Sequence, residues 1–129
     1  MDRAAPTSVL IADDDRVVRE ILSATIRREA SLRLAAAATD ADEAIAAAAA
    51  EQPDVAIVDV HMPGGGVRAT RGIKRRSPST AVLALSSADD RETVVKMLDA
   101  GAIGYLVKGA SAESILEAIE SAASGRSSL

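Results

Sequence analysis

Val9-Leu10-Ile11-Ala12 is an aliphatic run that stops on three consecutive acids, Asp13-Asp14-Asp15. Three other runs have the same form. Val55-Ala56-Ile57-Val58 stops on Asp59, Ala81-Val82-Leu83-Ala84-Leu85 on Ser86-Ser87, and Tyr105-Leu106-Val107 on Lys108. Runs this short and this rich in Val, Ile and Leu predict strands buried on both faces, as in a parallel sheet. Open parallel sheets bind ligands at the carboxyl ends of their strands. If the four strands run the same way, carboxylates, hydroxyls and an amine converge on one rim.

Between the runs lie helical patterns. The first spans 15–29, with Val17, Val18, Ile21, Leu22, Thr25 and Ile26 on one apolar stripe. A weaker strand follows over 32–36. Asp40 with Glu43 three residues on reads as a capping box opening an alanine-rich helix to residue 51. A third helix covers 67–76 after Gly64-Gly65-Gly66, and Ser77-Pro78 ends it. The fourth covers 91–100, with Val94, Val95 and Leu98 inward and Gly101 at a left-handed cap. The last covers 111–124, with Ile115, Leu116 and Ile119 inward and Gly125 as its stop. Strand and helix alternate five times, which predicts one α/β domain with right-handed crossovers.

Composition narrows the function. The 129 residues suit one core, and the absence of cysteine excludes disulfides and thiolate metal sites. Together with the lack of a signal-peptide core or a membrane-length apolar run, this leads us to expect a cytoplasmic protein. A net charge of −4 gives no basic footprint for DNA. With one aromatic residue, Tyr105, the chain also lacks a base-stacking surface.

Asp13, Asp14 and Asp59 in one crevice repel each other unless protons or a cation compensate. An all-oxygen set suits a hard cation such as Mg²⁺, which shares its shell with phosphate oxygens. Lys108 adds a mobile positive charge and Ser86 a hydroxyl donor. An aspartate placed beside these groups can act as a nucleophile toward phosphorus.

In this setting the motifs resemble the receiver domain of bacterial two-component response regulators, the CheY-like family. Leu10-Ile11-Ala12-Asp13-Asp14 is similar to the family's first strand and acidic pair, and Asp59-Val60-His61-Met62-Pro63 to its D-x-x-M-P phosphoacceptor motif. Ser86 falls at the switch hydroxyl, and residues 101–108 are similar to the G-A-x-G-Y-[LV]-x-K segment. The resemblance implies a flavodoxin-like, doubly wound five-stranded parallel sheet of order 2-1-3-4-5 with five flanking helices, an order taken over from the family. It also implies that Asp59 accepts phosphate from a sensor histidine kinase. Mg²⁺ would lie on Asp13, Asp14, Asp59 and the backbone carbonyl of His61. Ser86, Ser87 and Lys108 would bind the phosphoryl group, and Tyr105 would turn inward as Ser86 moves. Asp15 is assigned to the helix start, and the His61 side chain to the exposed surface. Lys108-Gly109-Ala110, without the frequent proline, resembles the NarL/FixJ-type subgroup, and the glycine loop is one residue shorter than usual.

Residues 1–7 read as a disordered lead-in, 8–124 as the receiver unit and 125–129 as the start of a linker. On this reading the chain is a signalling domain rather than an enzyme, catalysing only its own phosphotransfer and dephosphorylation. It leaves room for a homodimer, and DNA contact would come only through an output domain outside this chain. Two other readings stand beside it. A haloacid-dehalogenase-type phosphohydrolase needs a second Asp two residues after the nucleophile, where His61 stands, and an inert receiver-fold module would leave the acid, hydroxyl and lysine set without a use.

Overall fold

The computed structural model describes residues 5–125. Five strands, β1 (Thr7–Ala12), β2 (Leu32–Ala38), β3 (Val55–Asp59), β4 (Ala81–Ser86) and β5 (Gly104–Val107), form one sheet. They alternate with α1 (Arg16–Arg27), α2 (Ala41–Glu51), α3 (Gly66–Arg76), α4 (Arg91–Ala100) and α5 (Ala112–Ala123). All pairings are parallel and the order is β2-β1-β3-β4-β5, the doubly wound arrangement that the resemblance implied.

Successive side chains in a strand point to opposite faces, so each central strand feeds two cores. Val9, Ile11, Val55, Ile57, Leu83 and Leu85 pack under Leu22 and Ile26 of α1 and Ile115, Ala118 and Ile119 of α5. Leu10, Ala12, Ala56, Val58, Val82 and Ala84 face α2, α3 and α4. The second face is lined by smaller side chains, and α2 meets it through Ala41, Ala44 and Ala48. Small residues on both sides let this layer pack without an aromatic filler.

Several boundaries and facings differ from expectation. The expected α1 stripe is too wide for one helix face: Val18, Leu22 and Ile26 turn to the sheet, while Val17 and Ile21 stay 62% and 57% exposed. In α4, Met97 is the fully buried anchor, Val94 and Leu98 are half-buried, and Val95 is exposed. Strand β2 runs two residues beyond the expected 36, because its register with β1 continues through Ile11↔Ala37 and Ala12↔Ala38. Of the expected lead-in, residues 1–4 lie outside the described residues. Thr7 already belongs to β1, its N–H donating to the Ser31 carbonyl at 2.9 Å. Of the expected linker, residues 126–129 lie outside the described residues.

The caps show how local chemistry starts these helices. Asp40 accepts from the Glu43 N–H at 2.8 Å, but Glu43 reaches back to the N–H and hydroxyl of Thr39, both at 2.7 Å, rather than to Asp40. Those Thr39 bonds hold the Glu43 carboxyl below the usual carboxylate range. Asp15 caps α1 by accepting from the N–H groups of Val17 (2.8 Å) and Val18 (3.3 Å). Asp15→Ala is expected to cost about 1 kcal/mol in a urea titration. Cation binding should be unchanged, because the Asp15 carboxylate is spent on the helix.

Candidate functional site

Strand register builds the rim. Ala12 pairs with Val58, which brings the next residues, Asp13 and Asp59, side by side. Asp59 pairs with Leu85, so Ser86 lies one step beyond, and Ser86 pairs with Val107, which places Lys108 at the same edge. Asp13, Asp59 and Ser86 are buried, and Asp14 is exposed at the mouth.

The charges are closely coupled. Lys108 Nζ lies 3.3 Å from Asp13 Oδ2 and 3.3 Å from Asp59 Oδ1. Asp13 Oδ1 accepts from the Asp15 N–H at 2.8 Å, and Asp59 Oδ1 from the His61 N–H at 3.2 Å. Burial pushes the Asp59 carboxyl up, and neighbouring Asp13 adds to this; the His61 N–H and Lys108 oppose it. Burial alone would lower Lys108, but Asp59 and Asp13 outweigh it and hold the ammonium above its ordinary range. One ammonium therefore faces three carboxylates whose oxygens lie within 4.8 Å of one another. Asp13 Oδ2, fully buried, makes no well-aligned hydrogen bond, and its cationic neighbour is the Lys108 ammonium at 3.3 Å. One ammonium shared between two buried carboxylates leaves net negative charge there, which a further cation would offset. The donor set fits a hard divalent cation.

The shortened glycine loop closes neatly beside Asp59. Gly65 N–H donates to the Met62 carbonyl at 2.8 Å and Gly66 N–H to the Val60 carbonyl at 3.2 Å. This tight turn needs φ of +87° and +85° at Gly64 and Gly65, values that side chains resist. The Pro63 carbonyl then accepts from the Ala41 N–H at 2.9 Å, tying the loop to the start of α2.

Residues 9–120 match the family model described as the response regulator receiver domain. The chain belongs to this family. At 36% identity over 91% of this chain and 54% of the relative, the receiver domain is similar to the transcriptional regulatory protein YxjL of Bacillus subtilis. The oxygen regulatory protein NreC of Staphylococcus epidermidis is 35% identical over 91% of this chain and 55% of that protein. Among solved structures, the signal receiver domain of a NarL response regulator from Mycobacterium tuberculosis superposes with a TM-score of 0.89 at 29% identity, covering 95% of this chain and all of that one. The receiver domain thus spans about half the length of the regulators it matches. Neither the hydrolase nor the inert-module reading is favoured by these relatives. Among the described residues no helix is long and apolar enough to cross a membrane.

Not every expected residue joins the centre of the receiver domain's site. Ser87 is exposed, its hydroxyl 3.3 Å from Asp89. Tyr105 is 42% exposed on β5, beside Ser114 and Glu117 of α5. The His61 side chain is exposed as expected, but its Nε2 lies 2.6 Å from Asp90 Oδ2. Asp90 was not legible as a site neighbour. It stands at the N-cap position of α4, yet its carboxylate makes no bond to that helix's backbone and crosses to the β3–α3 loop instead. The Thr93 hydroxyl first, and His61 with it, hold the Asp90 carboxyl below the usual range. His61 and Asp90 are 29 positions apart in the chain, so only the convergence of two loops creates the pair.

Proposed function

We propose that Asp59 accepts a phosphoryl group from the phosphohistidine of a sensor histidine kinase. The observation that best supports this reading is the pair of buried carboxylates, Asp13 and Asp59, sharing the single ammonium of Lys108. Mg²⁺ would be held by Asp13, Asp14, Asp59 and the His61 carbonyl. When bound it would offset charge on the phosphoryl oxygens. An Asp59 carboxylate oxygen attacks phosphorus, the phosphorus–nitrogen bond breaks, and the imidazole keeps the electron pair. The His61 N–H orients the carboxylate for that attack. Lys108 then exchanges one carboxylate partner for a phosphoryl oxygen, and Ser86, with Ser87 behind it, supplies hydroxyl donors. As the β4–α4 loop moves in, space opens for Tyr105 to leave the surface, a population shift biased by one new charged group.

The receiver unit over 8–124 would act in the cytoplasm, joined by the linker beginning at 125 to a DNA-binding output domain, in keeping with relatives that are transcriptional regulators. Self-dephosphorylation would reset it, without turnover of any other substrate. Incubation with Mg²⁺ and acetyl phosphate followed by intact-mass measurement tests the reading. A labile single phosphoryl adduct is expected, and its absence, or steady hydrolysis of a generic phosphate ester, would overturn it.

Lys108→Ala separates acceptance from response. It is expected to bind Mg²⁺ and take up phosphate, but to lose the adduct-dependent change in amide chemical shifts around Tyr105. Without cation it should also be less stable by about 1 kcal/mol, because two buried carboxylates lose their ammonium; Lys108 is one-third exposed, which limits the loss. A normal response would remove the role given to Lys108.

A further inference from the structure

Helix α3 carries Arg68, Arg71, Lys74, Arg75 and Arg76 and no acid, whereas α5 carries Glu113, Glu117 and Glu120 and no base. At 3.6 residues per turn, Arg68, Arg71 and Arg75 share one stripe of α3 and the three glutamates share one stripe of α5. Each stripe lies opposite the helix's buried face, which is Ala69, Thr70 and Ile73 in α3 and Ile115, Ala118, Ile119 and Ala122 in α5. All six charged side chains are exposed. Arg68 pairs with Asp42 of α2, but Arg71, Arg75 and the three glutamates have no ion-pair partner among the described residues.

A single chain cannot bring these stripes together, because α3 and α5 pack on opposite faces of the sheet. Two copies can. Laid antiparallel, Glu113 faces Arg75, Glu117 faces Arg71 and Glu120 faces Arg68. The intervals are four and then three residues along both helices, so the charges stay in step. Laid parallel, the end pairs Glu113–Arg68 and Glu120–Arg75 also fall in step, but the middle pair, Glu117 and Arg71, is displaced by one residue. We propose that α3 of one copy docks on α5 of a second copy of this chain. The two faces differ and lie on opposite sides of the molecule, so the contact is heterologous and propagates head to tail. Exposed ion pairs are individually weak and are screened by salt. The expected dissociation constant is therefore about 1 mM at low salt, weakening about tenfold on moving to physiological salt or above. A nucleic-acid phosphate backbone would also suit α3, but it leaves the α5 stripe unexplained and meets a chain of net charge −4.

Sedimentation equilibrium at graded protein and salt concentrations tests this on three proteins. Arg71→Glu/Arg75→Glu should be monomeric, since both of its faces are then acidic. Glu113→Arg/Glu117→Arg should be monomeric because both are basic. An equimolar mixture should associate at least as strongly as the wild type, since each acidic face then finds a basic one. Circular dichroism should be unchanged and urea midpoints only slightly lowered, since Arg75 lies in the last turn of α3 and Glu113 in the first turn of α5, and Arg71→Gln/Arg75→Gln repeats the loss without charge reversal. A wild type that stays monomeric at millimolar concentration would overturn the proposal. So would a mixture that fails to associate, including the case in which α3 proves to bind duplex DNA instead. None of these outcomes depends on whether Asp59 is phosphorylated.

Discussion

Asp59→Asn is expected to take up no phosphate from acetyl phosphate at any Mg²⁺ concentration, while the wild type gains one labile phosphoryl group. The amide keeps the size and the His61 N–H bond but has neither the charge nor the lone-pair reactivity to attack phosphorus. The same substitution should raise stability in the absence of cation by about 1–2 kcal/mol at neutral pH, because it removes a buried carboxylate next to buried Asp13. The sign with pH follows from the raised Asp59 pKa. Above that raised value the folded wild type carries an unfavourable ionised group, and the advantage of Asn is complete. As pH falls through it, the folded wild type binds its proton before the unfolded chain does, and the advantage shrinks. Below the ordinary carboxylate value it is gone. Paired urea titrations across acid and neutral pH measure this. An Asn variant that is less stable than wild type at neutral pH would mean that Lys108 more than compensates both acids.

Gly66→Ala is expected to cost about 1–3 kcal/mol and to slow phosphate uptake about tenfold or more. A Cβ on Gly66 would sit 2.6 Å from the Asp59 carbonyl oxygen and 2.7 Å from Val60 Cα, with the Met97 sulfur at 3.1 Å. The first two are backbone atoms at the end of β3 and cannot swing aside. The Gly66 N–H also bonds the Val60 carbonyl, so the α3 start and the end of β3 shift together and carry Asp59 with them. Gly65→Ala is a useful contrast: it has open space around its would-be Cβ and only a positive φ to contend with. A Gly66→Ala protein with unchanged urea midpoint and uptake rate would show that the loop yields at no cost.

The four rim residues were legible because strand ends are. A buried parallel strand must be aliphatic along its length, so the first polar residue after it marks the carboxyl edge, and the motifs then order those edges. The helix starts at Asp15 and Asp40 were legible for a similar reason, since a helix start depends on bonds within three residues. The facings of Val17, Ile21 and Val95 were not. Periodicity shows that a helix has an apolar side, but the width of the surface it rests on decides how much of that side is covered. The crossing of Asp90 to His61 and the separation of the α3 and α5 charges were likewise out of reach, because each depends on where distant segments meet.

Read alone, the sequence was enough to set the element order, the α/β class and the chemical character of the rim, all of which follow from local pattern. The tertiary structure alone decided that Asp13 and Asp59 are buried side by side, that one lysine serves both acids, and that the acidic and basic helices face away from each other. Those are properties of register and layer. Hydrogen bonds between strands and the packing of two faces fix them, and neither is written in any single stretch of chain.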